Sequence, residues 1–461
     1  MKKNLLILSS MVALFFASCG DKDKNVDTPP PTKTDTVIVG QADGSGGPAA
    51  SKISVNTTWT ANKKYLLKGF VYVEPGVTLT IEPGTVIFGD KLSKASLIIP
   101  RGAKIMAQGT ADKPIVFTSY MAKGNRKTGD WGGIILLGKA PNNLASGKNI
   151  IEGGLTTPTG GSDWNVHGGT DANDNSGVLK YVRIEFAGVE YSSNNEINSL
   201  TMGSVGAGTT ISYVQVYAGG DDSFEWFGGT VNADHLVSVK AWDDDLDTDN
   251  GFSGKIQFAL VQRNPSAFDV SGSNGFESDN DADGTTNTPQ TKAMFSNITV
   301  IGPLNGTGNI VDAKFQHGAQ IRRNSSQSVV NSMFVGYPIG VYIDDTKGTA
   351  TSLSYKSGSL LFKSNVIAGC PIPVKATDAT IVATLTTDNT ILANVADAKV
   401  TDAFKFNAKP NFLLATGSPA LTGASFAGIT GFQTVAYRGA FDGTNDWTAK
   451  WTNWDAENTD Y

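Results

Sequence analysis

Val77-Thr78-Leu79-Thr80-Ile81-Glu82-Pro83-Gly84-Thr85-Val86-Ile87-Phe88 is followed by Leu97-Ile98-Ile99-Pro100-Arg101-Gly102-Ala103-Lys104-Ile105-Met106-Ala107, and these two lines decide the fold. Each sets a short run of aliphatic and β-branched residues, breaks it at Gly84 or Gly102, and resumes with a second run. Such runs suit strands of four or five residues, and the glycine at each break supplies the positive φ that a tight turn needs. Pro114-Ile115-Val116-Phe117-Thr118 opens the next strand. Further on, Tyr181-Val182-Arg183-Ile184, Tyr213-Val214-Gln215-Val216 and Leu236-Val237-Ser238-Val239 begin successive units, and Asn297-Ile298-Thr299-Val300 and Ser332-Met333-Phe334-Val335 continue them. A recurrence of one strand set every 23 to 25 residues calls for stacked coils, because a sandwich needs no fixed repeat. The chain is therefore expected to be all-β, a right-handed parallel β-helix in a single solenoid domain. Each coil pairs with the next at about 4.8 Å.

Glycine makes up 52 of 461 residues, and no segment has convincing helical periodicity. Asn250-Gly251-Phe252 recurs as Asn274-Gly275-Phe276, and Phe227 precedes Phe252 by a similar interval. That spacing predicts a ladder of Phe227, Phe252 and Phe276, with Asn250 stacked on Asn274. The ends of a solenoid must be covered, since an open strand edge invites aggregation. Trp59 and the segment to Leu67 are expected to cover the first coil, and Trp447, Trp451 and Trp454 to form an aromatic lid on the last. Residues 374–410 give no regular coil.

The first residues read as a processing signal. Lys2 and Lys3 precede an apolar run from Leu5 to Phe16, too short for a membrane span of about 20 residues, and the run ends at Phe16-Ala17-Ser18-Cys19. This resembles the lipobox of bacterial lipoproteins, with Phe16 where leucine is usual. The resemblance implies a signal peptide over 1–18 and lipidation at Cys19. Residues 19–52 are polar and rich in Pro and Gly, which predicts a disordered tether, and leaves 53–461 as the β-helix. Beyond Cys19 the sole cysteine is Cys370, which excludes an internal disulfide and reads as a small core residue.

Charge clustering carries the chemistry. From Asp221 to Asp283 there are 14 acidic residues against Lys240, Lys255 and Arg263, a local charge of −11 in a chain whose total is −6. Aligning Val216 with Val239 places Asp221 over Asp244 and Asp222 over Asp245. Carboxylates stacked about 5 Å apart repel unless they are neutralised, and Ca²⁺ does this with six to eight oxygen ligands. Asp221, Asp222, Glu225, Asp243, Asp244, Asp245, Asp247, Glu277 and Asp279 are the candidate ligands. The other reading is a solvated acidic turn region holding no ion. One cysteine and the scattered His167, His235 and His317 argue against zinc.

An Asp-Asp-x-x-acid pattern such as Asp221-Asp222-Ser223-Phe224-Glu225 is similar to the calcium sites of β-helix polysaccharide lyases, which pair the ion with a Lys or Arg base. On that resemblance Lys240 and Lys255 are the first base candidates, with Arg322 and Arg323 as more distant ones. A lysine among so many carboxylates keeps its proton, which suits a salt bridge better than a base. No nucleophile elbow or phosphate loop is present, and no basic patch interleaved with aromatics suggests nucleic acid.

The lipobox, the Pro-rich tether, the Glu-Pro-Gly coils, Trp131-Gly132-Gly133-Ile134-Ile135-Leu136-Leu137-Gly138 and the acidic ledge together resemble the β-helical outer-membrane lipoproteins of spirochaetes and Bacteroidota, a family with a pectin-lyase-like fold. That resemblance implies a surface-exposed outer-membrane lipoprotein that binds a ligand, or serves an outer-membrane barrel or TonB-dependent receptor. A Ca²⁺-dependent lyase acting on uronic-acid polymers is the rival reading, and a polysaccharide is the ligand both share.

Overall fold

The computed structural model describes residues 35–192, 195–306, 308, 310–406 and 408–461. The expected signal peptide, Cys19 and the first part of the tether lie outside the described residues. Three columns of parallel strands wind around one apolar core, as the repeat predicts. The third column is a sheet of eleven strands running from Ala50–Ile53 through Phe224–Phe227, Leu246–Asp249, Phe276–Ser278 and His317–Ile321 to Ile372–Ala376. Gly84 and Gly102 stand at the expected turns with φ of 88° and 86°.

The first and second columns meet at a sharp corner inside the long strands Gly177–Glu185, Thr210–Tyr217, Ala233–Val239, Lys255–Gln262 and Met294–Ile301. At that corner stand Tyr181, Tyr213, His235, Phe258 and Asn297, all with φ between 51° and 60°. Left-handed backbone is costly for bulky residues. Here stacking from coil to coil offsets it. Tyr213 lies 4.4 Å from Tyr181 and 4.2 Å from His235, ring centroid to centroid, and Phe258 continues the pile at 5.1 Å.

Registers differ from the sequence reading by one residue. Val216 pairs with Ser238, not with Val239, and Phe224 pairs with Leu246. The coil is thus 22 residues long at this point, and a one-residue slip turns each side chain to the opposite face. The phenylalanine ladder fails for the same reason. Phe276 aligns with Leu246 and Phe224, whereas Phe252 stacks on Trp226 inside the core and Phe227 turns out toward His167. Asn274 sits in the coil beside Asp244, and Asn250 occupies a left-handed turn, so the two do not stack.

The ordered body begins before residue 53. Thr36–Gly40 pairs with Lys64–Lys68, and Ala50–Ile53 pairs with Phe70–Val73. The first full coil would otherwise present unpaired backbone N–H and C=O groups, and the β-branched run Thr36-Val37-Ile38-Val39 supplies the missing strand. Trp59, buried against Tyr65, belongs to the stack itself.

The aromatic lid is also relocated. A helix over Ala379–Asp388, absent from the sequence reading, buries Ile381 and Leu385 against the end of the core. The tryptophans lie instead along the flank. Residues beyond Val395 run back over the apolar outer face of the second column, where Phe412, Phe441, Trp451 and Trp454 cover Tyr217, Val239, Ile301 and Val335. This strap reaches the early coils, where the Tyr461 hydroxyl donates to Glu185 at 2.6 Å. An outer face that carries valines and isoleucines needs such a cover. Among the described residues no helix is long and apolar enough to cross a membrane.

Candidate cation site on the third sheet

Strand alternation decides which acidic residues meet. In Phe224–Phe227 the rings of Phe224 and Trp226 enter the core, so Glu225 faces out. Leu246 and Phe276 likewise point inward and leave Asp247 and Glu277 outside. Pairing between strands then sets Thr201, Glu225, Asp247, Glu277, Gln320, Tyr342 and Lys375 in one outward column. Beside it, Asp222 and Asp244 are neighbours, since Asp244 N donates to Asp222 Oδ1 at 2.8 Å. Asn274 N continues this inner row by donating to Asp244 Oδ1 at 2.5 Å.

Ligand oxygens gather in three trios, Asp221 with Asp222 and Asp243, Asp222 with Glu225 and Asp247, and Asp244 with Asp247 and Glu277, each within 4.8 Å. Asp222 and Asp247 each serve two trios, so the three form one continuous patch. Asp243 Oδ1 and Asp247 Oδ1 are buried atoms with no hydrogen-bond partner. Burial, and after it the neighbouring carboxylates, hold Asp221, Asp222, Glu225 and Asp247 well above the usual carboxylate range. Burial and Asp243 do the same to Asp244. Asp243 and Glu277 are pushed up to about 8, and so is Asp249, an outward neighbour that the sequence reading did not include.

Two predicted ligands are elsewhere. Asp245, turned inward by the one-residue change in register, lies inside the β-helix in an ion pair with Arg263 at 2.8 Å. Both side chains are fully buried. Arg263 also donates to the carbonyls of Ala241 (2.7 Å), Asp243 and Asn274 (2.7 Å), and thus fixes the backbone of both acidic turns from beneath. Asp279 is taken by Arg322 Nε at 2.9 Å and Arg323 at 2.5 Å.

Of the base candidates, only Arg322 reaches the patch. It bonds both Glu277 and Asp279, and although burial opposes its charge, these carboxylates raise its pKa further. Lys240 does not stand beside the acidic turn. It lies under the C-terminal strap, donating to Tyr217 Oη at 2.5 Å and Glu457 at 3.1 Å. Lys255 is at the strap as well, bound to the Thr430 carbonyl at 2.8 Å. Left-handed backbone at Lys240 (φ 60°) turns it away from the predicted alternation.

Sequence reasoning missed Glu152, Asn198 and Arg263. Asn198 donates from its amide to Glu152 Oε1 at 2.9 Å and also to Glu225. Burial pushes Glu152 up to about 7. No spacing rule finds Glu152, because the segment 139–176 that carries it is an insertion between coils. Arg263 could have been found as the lone arginine within the acidic stretch.

A parallel β-helix with a continuous carboxylate patch on one outer sheet defines the class of protein. The chain belongs to the pectate-lyase like beta helix domain family, which matches residues 51–452. Among solved structures it is similar to a catalytic domain of a GH87 alpha-1,3-glucanase in complex with tetrasaccharides. The two are 9% identical over 80% of this chain and 70% of that one, with a TM-score of 0.22. No curated protein matches the chain.

Proposed function

We propose that this protein is a non-enzymatic, calcium-binding β-helix that presents a ligand-binding face on its third sheet. On the same reading Cys19 anchors it to the outer membrane at the cell surface, as an accessory to a barrel or TonB-dependent receptor. The observation that carries the cation reading is the sharing of Asp222 and Asp247 among three carboxylate trios on consecutive coils. All donors are oxygens, which suits a hard cation that takes six to eight of them in flexible geometry. Trp242, 39% exposed, stands next to Asp243 with its indole N–H on Asp269 at 3.1 Å. A flat exposed ring beside such a patch suits a polysaccharide. The lyase reading lacks a base at the patch, since Arg322 is held by two carboxylates, Lys240 lies under the strap and Lys255 is bound to the Thr430 carbonyl away from the acidic turns.

Titration calorimetry of chelator-treated protein at pH 7.5 tests the cation. Ca²⁺ is expected to bind, and Asp247→Asn to weaken binding about tenfold or more, because charge and ligand count set affinity in such sites. No heat of binding in the unsubstituted protein would remove the reading. Incubation with uronic-acid polymers is expected to give no unsaturated product. Pulldown from solubilised outer membrane tests the accessory role, which fails if no barrel or receptor co-purifies.

A further inference from the structure

Segment 139–176 lies over the third sheet next to the carboxylate patch. Its strands Asn149–Ile150 and Val166–His167 form a hairpin, and Ile151, Leu155 and Trp164 pack on Tyr72, Ile98 and Ile135 of the sheet below. Asn143, near the start of the segment, donates to the Asn280 carbonyl at 2.6 Å. Hydrophobic contact thus holds the segment at one side, His167 packs on Phe227 with its Nδ1 2.9 Å from Ser204 Oγ, and Glu152 is the carboxylate that the segment brings to the patch. Its carboxyl group shares the Asn198 amide with Glu225 and stands against Glu225 itself.

We infer that Glu152 is a ligand delivered from the covering segment, so that a divalent cation held by Asp222, Glu225 and Asp247 fastens segment 139–176 onto the sheet. The inference rests on the cation reading above and adds a conformational consequence to it. An independent observation points the same way. The Thr201 hydroxyl is 1% exposed and has no hydrogen-bond partner, and Thr201 is the register partner of Glu225 in the outward column. A buried hydroxyl costs about 1–3 kcal/mol when it is left unpaired, and a hard cation accepts it as a neutral oxygen ligand. Without the ion, a carboxylate on the segment faces carboxylates on the sheet and pushes the two apart. With it, four carboxylates and one hydroxyl converge, and Glu152 reaches the ion by rotating off Asn198. The cation then works as a latch, closing the part of the face that a long ligand would cross.

Hydrogen exchange of the full chain at pH 7.5, with Ca²⁺ and with chelator, reads the latch directly. Amides between residues 145 and 170 are expected to exchange about tenfold more slowly with Ca²⁺, which is the mark of suppressed local opening. Glu152→Gln is expected to remove this protection while calorimetry records weaker binding through the ligands that remain, and Thr201→Val to reduce it. Equal calcium-dependent protection in Glu152→Gln would overturn the latch. So would calcium binding with no change in exchange, and either result leaves the cation reading in place. Absence of calcium binding in the unsubstituted protein overturns both.

Discussion

Chelator-treated protein is expected to melt at least about 5 °C higher at pH 5 than at pH 8.5, and millimolar Ca²⁺ at pH 8.5 to close the gap. The sign follows from the direction of the shifts. Asp221, Asp222, Glu225, Asp244 and Asp247 are held well above the usual carboxylate range, and Asp243, Asp249 and Glu277 are pushed up to about 8. In the unfolded chain these groups titrate near pH 4. Where the folded pKa is the higher one, stability is fully present below the unfolded value and is lost as pH rises through the folded one. The loss therefore begins near pH 4 and for Asp243, Asp249 and Glu277 runs to about pH 8. Asp344, Asp442 and Asp446 shift downward, so their contribution disappears only as pH falls below about 4. His167 and His317, which burial pushes down to about 4, run the other way, since their contribution is lost as pH falls from about 6.5 toward 4. Eight raised carboxylates against two imidazoles set the sign. An ion that binds only the folded state adds about 2.7 kcal/mol when present at a hundredfold excess over its Kd. Scanning calorimetry from pH 5 to 8.5, with and without Ca²⁺, decides the matter. A melting temperature in chelator that is flat or rises with pH would show that the patch carries no such strain.

What the sequence made legible was local. Glu82-Pro83-Gly84 and Pro100-Arg101-Gly102 announce turns because glycine there tolerates φ near 90°. Val214 and Leu236 do start successive coils, because β-branched and aliphatic side chains fill a shared core. The acidic ledge was legible as a region, and seven of its nine named carboxylates do come together. The interval between coils was not legible to the residue. Val216 and Val239 are chemically equivalent as strand residues, and choosing between 22 and 23 decides whether Asp245 faces an ion or an arginine. Left-handed corners at Tyr213 and His235 carry no glycine to mark them, because ring stacking stabilises them instead. The tryptophans at 447, 451 and 454 showed that an apolar surface exists near the C-terminus. Which surface they cover depends on the outward valines of distant coils, Val239 and Val335 among them. Glu152 belongs to the same class of failure, since its place over Glu225 depends on how an insertion folds.

Replacing Arg263 by methionine is expected to cost about 3–5 kcal/mol in unfolding free energy, more than a core truncation of similar volume, because it leaves a carboxylate buried and unpaired. Asp245 has no route to water: its side chain is fully buried, its partners are the Ser238 hydroxyl and the Arg263 guanidinium, and burial already pushes it up to about 6 despite that guanidinium. Losing Arg263 also strips partners from the carbonyls of Ala241, Asp243 and Asn274, and from the Tyr337 hydroxyl 3.1 Å away. Asp245→Asn in the same chain removes the stranded charge, so the double variant should recover a large part of the loss, while the Ala241 and Asp243 carbonyls still lack the guanidinium and the Asn274 carbonyl keeps its bond from Asp245 N. The unfolding free energies of the two single variants and the double variant in guanidinium chloride give the coupling. If the pair existed for stability alone, an apolar substitute of similar size would serve as well or better. The geometry gives it another task. From inside the β-helix Arg263 grips the carbonyls of Asp243 and Asn274 together, and so it helps to set the separation of the two coils whose carboxylates converge outside. A single substitution costing less than about 1 kcal/mol, or a double variant no more stable than Arg263→Met, would show that the interior charge is not what holds those turns.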